Sequence, residues 1–285
     1  MIIVNSFEGM RAHLKKINSL ISFVPTMGSL HDGHLRLIDK AKNNSQYVVA
    51  SIFVNRLQFG PKEDFEKYPR VIDNDINLLS KNNLVDLLFI PQENEVYPFE
   101  QNFYVHPASI IANDLEGKFR PNFFSGVCTV LLKFFSNINP DIVVLGKKDF
   151  QQLVIVENMC RQFRLPIKVI GQDTVRCSDG LAFSSRNVYL SRSERIEAPH
   201  LYSALKGIKK HIGLHADIKL DQLIELENNA SSELNARGWK TDYITIRRRS
   251  DLSVLNTDDI ERKTSLVVLG AATLGNTRLI DNIEI

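Results

Sequence analysis

Val24-Pro25-Thr26-Met27-Gly28-Ser29-Leu30-His31-Asp32-Gly33-His34 is the stretch whose reading decides the fold. An apolar run, Leu20–Val24, leads into it and is predicted as a short buried strand. Pro25 is expected to end that strand, because proline has no N–H to give to a ladder. Gly28 and Gly33 permit turns that a Cβ resists. From Asp32 onward, Leu35, Leu37, Ile38 and Ala41 recur at helical spacing. A strand therefore enters a tight loop, and the loop feeds a helix N-terminus. Such an end carries free N–H groups and partial positive charge, which suits a phosphate. His31 and His34 stand three apart, so both rings fall on one side of the first turn. Two imidazoles beside free amides offer several donors to a triphosphate.

Outward from this stretch, strands and helices alternate. Met1–Asn18 reads as a short strand and an amphipathic helix. Tyr47–Val54 is a continuous apolar run, as expected of a strand buried on both faces. Asn55–Pro61 is a loop closed by Gly-Pro, Val71–Asn82 a helix, and Val85–Ile90 a strand stopped by Pro91. Gln92–Phe119 has no clear period. Phe124–Ile138 is an apolar helix, Ile142–Leu145 a strand, Phe150–Phe163 a helix and Ile167–Ile170 a strand. This alternation predicts an α/β domain with a Rossmann-like parallel sheet, whose ligands sit at the carboxyl ends of the strands. The loops after Val24, Val54 and Leu145 are expected to converge on one crevice. Beyond Gly171 the pattern changes: helices at Arg195–Ile212 and Leu220–Arg237, then short strands at Tyr243–Ile246, Ser265–Leu269 and Leu279–Asp281. The expected division is residues 1–174, the parallel-sheet domain with the phosphate-suited crevice, and residues 175–285, a smaller α+β domain.

Composition narrows the class. The 285 residues are 44% hydrophobic and 24% charged, which is ordinary for a soluble globular chain. A net charge of +2 gives no field that argues for nucleic acid or a membrane surface. Arg247-Arg248-Arg249 reads as a solvated turn rather than a nucleic-acid patch. Cys128, Cys160 and Cys177 are widely spaced and fit neither a zinc site nor a disulfide framework, so reduced thiols in a cytoplasm are the simplest account. Glu8 interrupts the first apolar residues, unlike a signal peptide, and no run approaches the ~20 apolar residues of a membrane span.

Four blocks together resemble the pantoate–β-alanine ligase family: P-T-M-G-S-L-H-D-G-H at Pro25–His34, S-I-F-V-N-R-L-Q-F at Ser51–Phe59, G-K-K-D-F-Q-Q at Gly146–Gln152 and D-G-L-A-F-S-S-R-N at Asp179–Asn187. Tyr68-Pro69-Arg70 and Phe119–Val127 follow the family order too. The first block alone marks only the wider nucleotidylyltransferase superfamily. The resemblance implies ATP-dependent adenylylation of pantoate, with Mg²⁺, followed by attack of β-alanine to give pantothenate and AMP. It further implies a cytoplasmic homodimer that forms through the N-terminal domain.

By the same resemblance, Met27, Gly28, Ser29, Leu30, His31, Asp32, Gly33 and His34 contact ATP, as do Gly146, Lys147, Lys148 and Asp149. Val175, Phe183, Ser184, Ser185 and Arg186 join them from the second domain, the expected lid. Gln58 and Gln152 hold pantoate, with Gln58 also near β-alanine; Asn55, Tyr68 and Arg120 are weaker candidates. His31, His34, Lys148 and Arg186 are the catalytic set. A carboxylate attacking phosphorus needs no proton removed, so His34 is expected to donate a hydrogen bond to phosphate, and the cations to stabilise growing charge. Glutamine amides both donate and accept, which suits a hydroxy acid.

Four single positions and one pair depart from the family pattern: Arg56 for proline, Lys147 for glutamate, Phe123 for histidine, Phe183 for methionine, and Asn74-Asp75 for paired acids. The last leaves no metal ligand to name, since magnesium keeps waters and binds through substrate phosphates. Two other classes fit the residues: a nucleotidylyltransferase acting on a different acid, and a nucleotide-binding module without turnover.

Overall fold

The apolar runs become the strands of a six-stranded parallel sheet in a computed structural model that describes every residue except Pro61, Lys62, Asp64, Ala216 and Lys263. The expected Gly-Pro loop closure at Pro61 lies outside the described residues. The chain divides into two units, Met1–Lys147 with Ile155–Asp173, and Lys148–Val154 with Thr174–Ile285.

In the first unit the elements run β1 (Ile2–Val4), α1 (Phe7–Leu14), β2 (Ile21–Thr26), α2 (Asp32–Lys42), β3 (Tyr47–Ile52), α3 (Ile72–Asn82) and β4 (Leu87–Phe89). After them come α4 (Glu93–Val96), α5 (Ser109–Ala112), α6 (Glu116–Phe119), α7 (Phe123–Ile138), β5 (Ile142–Gly146), α8 (Phe150–Gln162), whose residues up to Val154 fall in the second unit, and β6 (Lys168–Gln172). The strand order is β1-β4-β3-β2-β5-β6 with every pair parallel. Alternate residues explain why the strands are apolar throughout. Val24, Val48, Ala50, Ile52 and Leu88 pack with Ile38 and Ala41 of α2 in one core. On the opposite parity, Phe23 and Phe89 meet Phe134 of α7 edge-on, with ring centroids 5.9 and 5.7 Å apart, and Phe7 of α1 lies 5.1 Å from Phe89. Both faces of the sheet are covered, so neither strand face has reason to be polar.

Two expectations change. Pro25 does not end β2; it pairs in register with Ser51. The β2–β5 ladder stops at Phe23–Val143, so Pro25 lies past its end and the missing N–H breaks no ladder. Gln92–Phe119 holds three four-residue helices, α4 to α6, each too short to show a period in sequence.

The second unit contains α9 (Arg192–Glu197), α10 (His200–Leu214), α11 (Leu220–Ala236), β7 (Lys240–Arg248), α12 (Thr257–Glu261), β8 (Leu266–Leu274) and β9 (Thr277–Glu284). Its strands form an antiparallel sheet, β7-β8-β9. One helix was expected where α9 and α10 stand; Pro199 separates them, having no N–H to continue a helix. Leu201, Leu205 and Ile208 of α10, with Leu223 and Leu234 of α11, bury against Val268 and Ala272 of β8. Of the arginine triplet, only Arg249 stands in an exposed turn; Arg247 and Arg248 end β7, and Arg248 pairs with Asp251 and Asp259 and Arg249 with Glu284.

Within the first unit the strand order reverses between β2 and β5, so their carboxyl ends, Thr26 and Gly146, flank the position where open α/β sheets hold ligands.

Helix α7 closes on the residues after β3 at Gly126, where an added Cβ would meet the Leu57 carbonyl oxygen at 2.2 Å and the Gln58 nitrogen at 2.8 Å. Gly126→Ala should therefore lower stability by about 2–3 kcal/mol in urea unfolding, in the range of overpacked cores. Gly207, on the exposed side of α10, has nothing within 4 Å of its added Cβ. Gly207→Ala should raise stability by about 0.5–1 kcal/mol in the same assay.

Candidate active site

The loop after β2 is built from inside. Thr26 Oγ1 donates to the Ser51 carbonyl at 2.7 Å and accepts from the Gly28 N–H at 3.2 Å. Gly28 and Ser29 both have positive φ, +80° and 51°. Glycine bears this freely, whereas serine needs a holding contact. Asp75 of α3 supplies it. Its two carboxylate oxygens accept the Ser29 N–H at 2.9 Å and the Leu30 N–H at 2.8 Å, and the residue is 2% exposed. Burial pushes this carboxyl above the ordinary aspartate value, and the two amides pull it partly back.

Helix α2 then begins with a cap made by the two histidines. His31 is the N-cap, and its Nδ1 accepts the Gly33 N–H at 3.1 Å. His34 turns back so that its Nδ1 accepts the His31 N–H at 3.3 Å. The ring centroids are 4.1 Å apart, on one side of the turn as the spacing predicts. With Nδ1 accepting in both, each neutral ring carries its proton on Nε2. This corrects the expectation of free amides. Gly28, Ser29, Leu30 and Gly33 N–H groups are all bonded within the protein, and those of His34 and Leu35 reach the His31 carbonyl. Those amides are therefore committed within the protein. Asp32 is the first residue of the helix.

The loops after β2 and β3 do meet. Gln58 ends a 3-10 helix, Arg56–Gln58, and its Nε2 donates to Met27 Sδ at 3.5 Å. Beneath it Asn55, 1% exposed, donates through Nδ2 to Gln58 Oε1 at 2.9 Å and to the Gly126 carbonyl at 3.1 Å. Tyr68 is buried against Phe59, and Arg120 is committed to Glu63 at 2.6 Å while it donates to the Gln58 carbonyl at 3.1 Å. Phe123, where the family has histidine, carries the Arg120 guanidinium 3.7 Å over its ring. Arg56 pairs with Glu93 at 2.7 Å. At the end of β5, Gly146 is followed by Lys147, which pairs with Asp173 at 2.7 Å.

The other expected residues belong to the second unit. Lys148 Nζ lies 3.9 Å from the Asp149 carboxylate, and the Lys148 carbonyl accepts Asn282 Nδ2 at 2.9 Å. Gln152 sits in the first turn of α8. Val175 and Phe183 face each other across a hairpin, with the Phe183 N–H on the Val175 carbonyl at 3.0 Å. Arg176 anchors this hairpin to β9, giving a bidentate pair to Asp281 at 2.6 and 2.8 Å. Ser184 caps the 3-10 helix Ser185–Tyr189 by accepting the Arg186 N–H at 3.3 Å. Asp281 and Asn282 thus tie the hairpin and the Lys148 backbone to one strand. Neither residue carries a motif, and nothing in the sequence singled them out. Asp75 did carry a signal, its place after Tyr68-Pro69-Arg70, although its role differs from the metal contact that place suggested. Among the described residues no group of three or more His, Cys, Asp or Glu side chains could hold a metal ion, and no helix is long and apolar enough to cross a membrane.

Asp75→Asn offers one acceptor to two N–H donors and turns an NH₂ toward the second. It should lose about 1–3 kcal/mol in urea unfolding, as for a buried donor left unpaired. Because the folded value of the Asp75 carboxyl is raised, the native state holds its proton to higher pH than the unfolded chain does. This group therefore contributes a stability that falls as pH rises from the ordinary aspartate value through the folded one. Other carboxylates of the protein titrate in the same window with the opposite sign, so the test is the difference: in urea unfolding, the stability advantage of the native protein over Asp75→Asn should shrink as pH rises through it.

The family pattern described as pantoate-beta-alanine ligase matches residues 2–284. Pantothenate synthetase from Thermus thermophilus is 38% identical, with a TM-score of 0.89, over 100% of this chain and 99% of that one. A second structure of the enzyme from the same organism matches at 38% identity and a TM-score of 0.90. Pantoate-beta-alanine ligase from Francisella tularensis, complexed with beta-gamma ATP and beta-alanine, matches at 34% identity and a TM-score of 0.76, over 100% and 97% of the two chains. With that pattern running almost end to end through an α/β fold of the same kind, the chain belongs to the pantoate–β-alanine ligase family.

Proposed function

We propose that this chain joins (R)-pantoate and β-alanine to make pantothenate, with ATP converted to AMP and pyrophosphate. The observation that carries the reading is the histidine-capped loop at the carboxyl end of β2, in a chain that the family pattern spans from residue 2 to 284. The Francisella tularensis relative is complexed with a form of ATP and with β-alanine, which supports both as substrates here.

The chemistry follows from the groups. A pantoate carboxylate oxygen bonds to the α-phosphorus as the bond to pyrophosphate breaks. Negative charge grows on phosphate oxygens, and the Nε2 protons of His31 and His34 are suited to stabilise it. Lys148 and Arg186 add cationic donors to the same anions; arginine's fork suits two phosphate oxygens at once. Met27, Gly28, Ser29, Leu30, Asp32, Gly33, Gly146, Lys147, Asp149, Val175, Phe183, Ser184 and Ser185 complete the proposed ATP contacts. Gln58 and Gln152 orient pantoate. The β-alanine amine, near Gln58, then bonds to the activated carbonyl carbon; AMP leaves and the nitrogen loses a proton. Residues 1–174 serve as the nucleotide- and pantoate-binding domain and residues 175–285 as the lid that keeps water from the acyl adenylate.

Magnesium is proposed to arrive with the nucleotide. Both Asp75 oxygens accept loop amides, so this carboxylate does not fit a metal contact, and the ion's preference for phosphate oxygens and water makes the ATP tail its natural holder. A cytoplasmic location is in keeping with three free cysteines. A homodimer is supported by Phe99, Phe103 and Ile110 of the first unit, 84, 82 and 85% exposed within a dozen residues.

Purified protein given ATP, pantoate and β-alanine should release AMP with pantothenate; folded protein that releases none overturns the reading. His34→Ala and Lys148→Ala should each lose about 2–4 kcal/mol of transition-state stabilisation, measured as kcat/KM. Sedimentation equilibrium should return the mass of two chains.

A further inference from the structure

The amide of Gln58 has a donor end and an acceptor end, and the end that faces the ligand decides what it recognises. A run of hydrogen bonds settles this. Tyr97 Oη donates to Asn55 Oδ1 at 2.6 Å, and Asn55 Nδ2 donates to both Gln58 Oε1 and the Gly126 carbonyl. A backbone carbonyl only accepts, so Gly126 requires the NH₂ of Asn55 on its side. Oδ1 of Asn55 must then face Tyr97, and Tyr97 must be the donor. The same NH₂ donates to Gln58 Oε1, which turns that oxygen toward Asn55 and the NH₂ of Gln58 away from it. Its Nε2 lies toward Met27 of the histidine loop.

Tyr97 is itself seated. Lys133 Nζ lies 4.4 Å over its ring and donates to the Val96 carbonyl at 2.7 Å, and the Phe53 ring is 6.2 Å away. Burial pushes the phenol well above its ordinary value, with Glu93 adding to the effect, so it stays a donor at neutral pH. Tyr97 lies in none of the sequence blocks that mark the family.

We propose that Tyr97 is a positioning residue that acts through Asn55 to present Gln58 as a hydrogen-bond donor, so that the pantoate group at Gln58 is an acceptor oxygen. The proposal rests on the assignment of Gln58 to pantoate. Tyr97→Phe keeps the ring but leaves Asn55 Oδ1 buried without its donor, and so loosens the amide that holds Gln58 Oε1.

Steady-state AMP release tests it in two backgrounds. In the otherwise native protein, Tyr97→Phe should raise the pantoate KM about tenfold, as expected for a lost buried hydrogen bond, while the ATP KM stays within about twofold. In a Gln58→Ala background, Tyr97→Phe should change the pantoate KM no further, because the group it positions is gone. An equal effect in both backgrounds, or an equal rise in the ATP KM, overturns the proposal. Gln58→Glu decides the point even where Tyr97→Phe folds poorly. It keeps the shape and the acceptor for Asn55 but presents an acceptor to the ligand. Its pantoate KM should rise by more than that of Tyr97→Phe; an unchanged value overturns the proposal. Native protein that releases no AMP from these substrates signals instead that the pantoate reading itself has failed.

Discussion

One buried carboxylate holds the loop after β2 in shape. Asp75 accepts the N–H groups of Ser29 and Leu30, and so keeps a serine in a left-handed conformation that it would otherwise leave. Only with the chain bent there does His31 arrive at the start of α2, where the two rings cap the helix reciprocally. That cap consumes both Nδ1 atoms and orients both Nε2–H bonds. The loop therefore depends on an aspartate from a different helix, α3. Dipole and amides alone would have made a generic anion site. The histidine cap exchanges amide donors for side-chain donors whose direction is set by the backbone.

Much of this was legible before any coordinates. The strands at Tyr47–Val54 and Ile142–Leu145 were legible because both sheet faces are covered and the runs are almost wholly apolar, although β3 stops at Ile52. The start of α2 at Asp32 was read from apolar spacing. Pro25 misled because its effect depends on what lies beside it, and the end of the β5 ladder is a tertiary fact. The state of the loop amides was illegible for the same reason. Asp75 stands 45 residues beyond Leu30, and no local pattern connects them.

The second unit shows the same limit from the other side. The hairpin from Val175 to Phe183 and the backbone of Lys148 are both fastened to β9, through Asp281 and Asn282. Motif residues were visible as blocks, while the residues that fasten them were ordinary letters in an ordinary strand. Arg176 carries its own fixing: its guanidinium lies 3.5 Å over the Tyr202 ring while it binds Asp281. The arginine triplet at the end of β7 illustrates the converse. It looked like a charged surface, and the fold neutralises it with Asp251, Asp259 and Glu284.

The position of β1 at the sheet edge bears on how the chain matures during synthesis. Ile2 pairs with Leu87, so β1 has no partner until β4 has left the ribosome. Then β1, β4, β3 and β2 can assemble as a block, while β5 and β6 join only after α7 has been made. Nascent chains emerge at about 5–20 residues per second, so β1 waits several seconds with apolar Ile2 and Ile3 unpaired. Its shortness, three residues, limits the hazard that such a waiting edge presents to neighbouring chains.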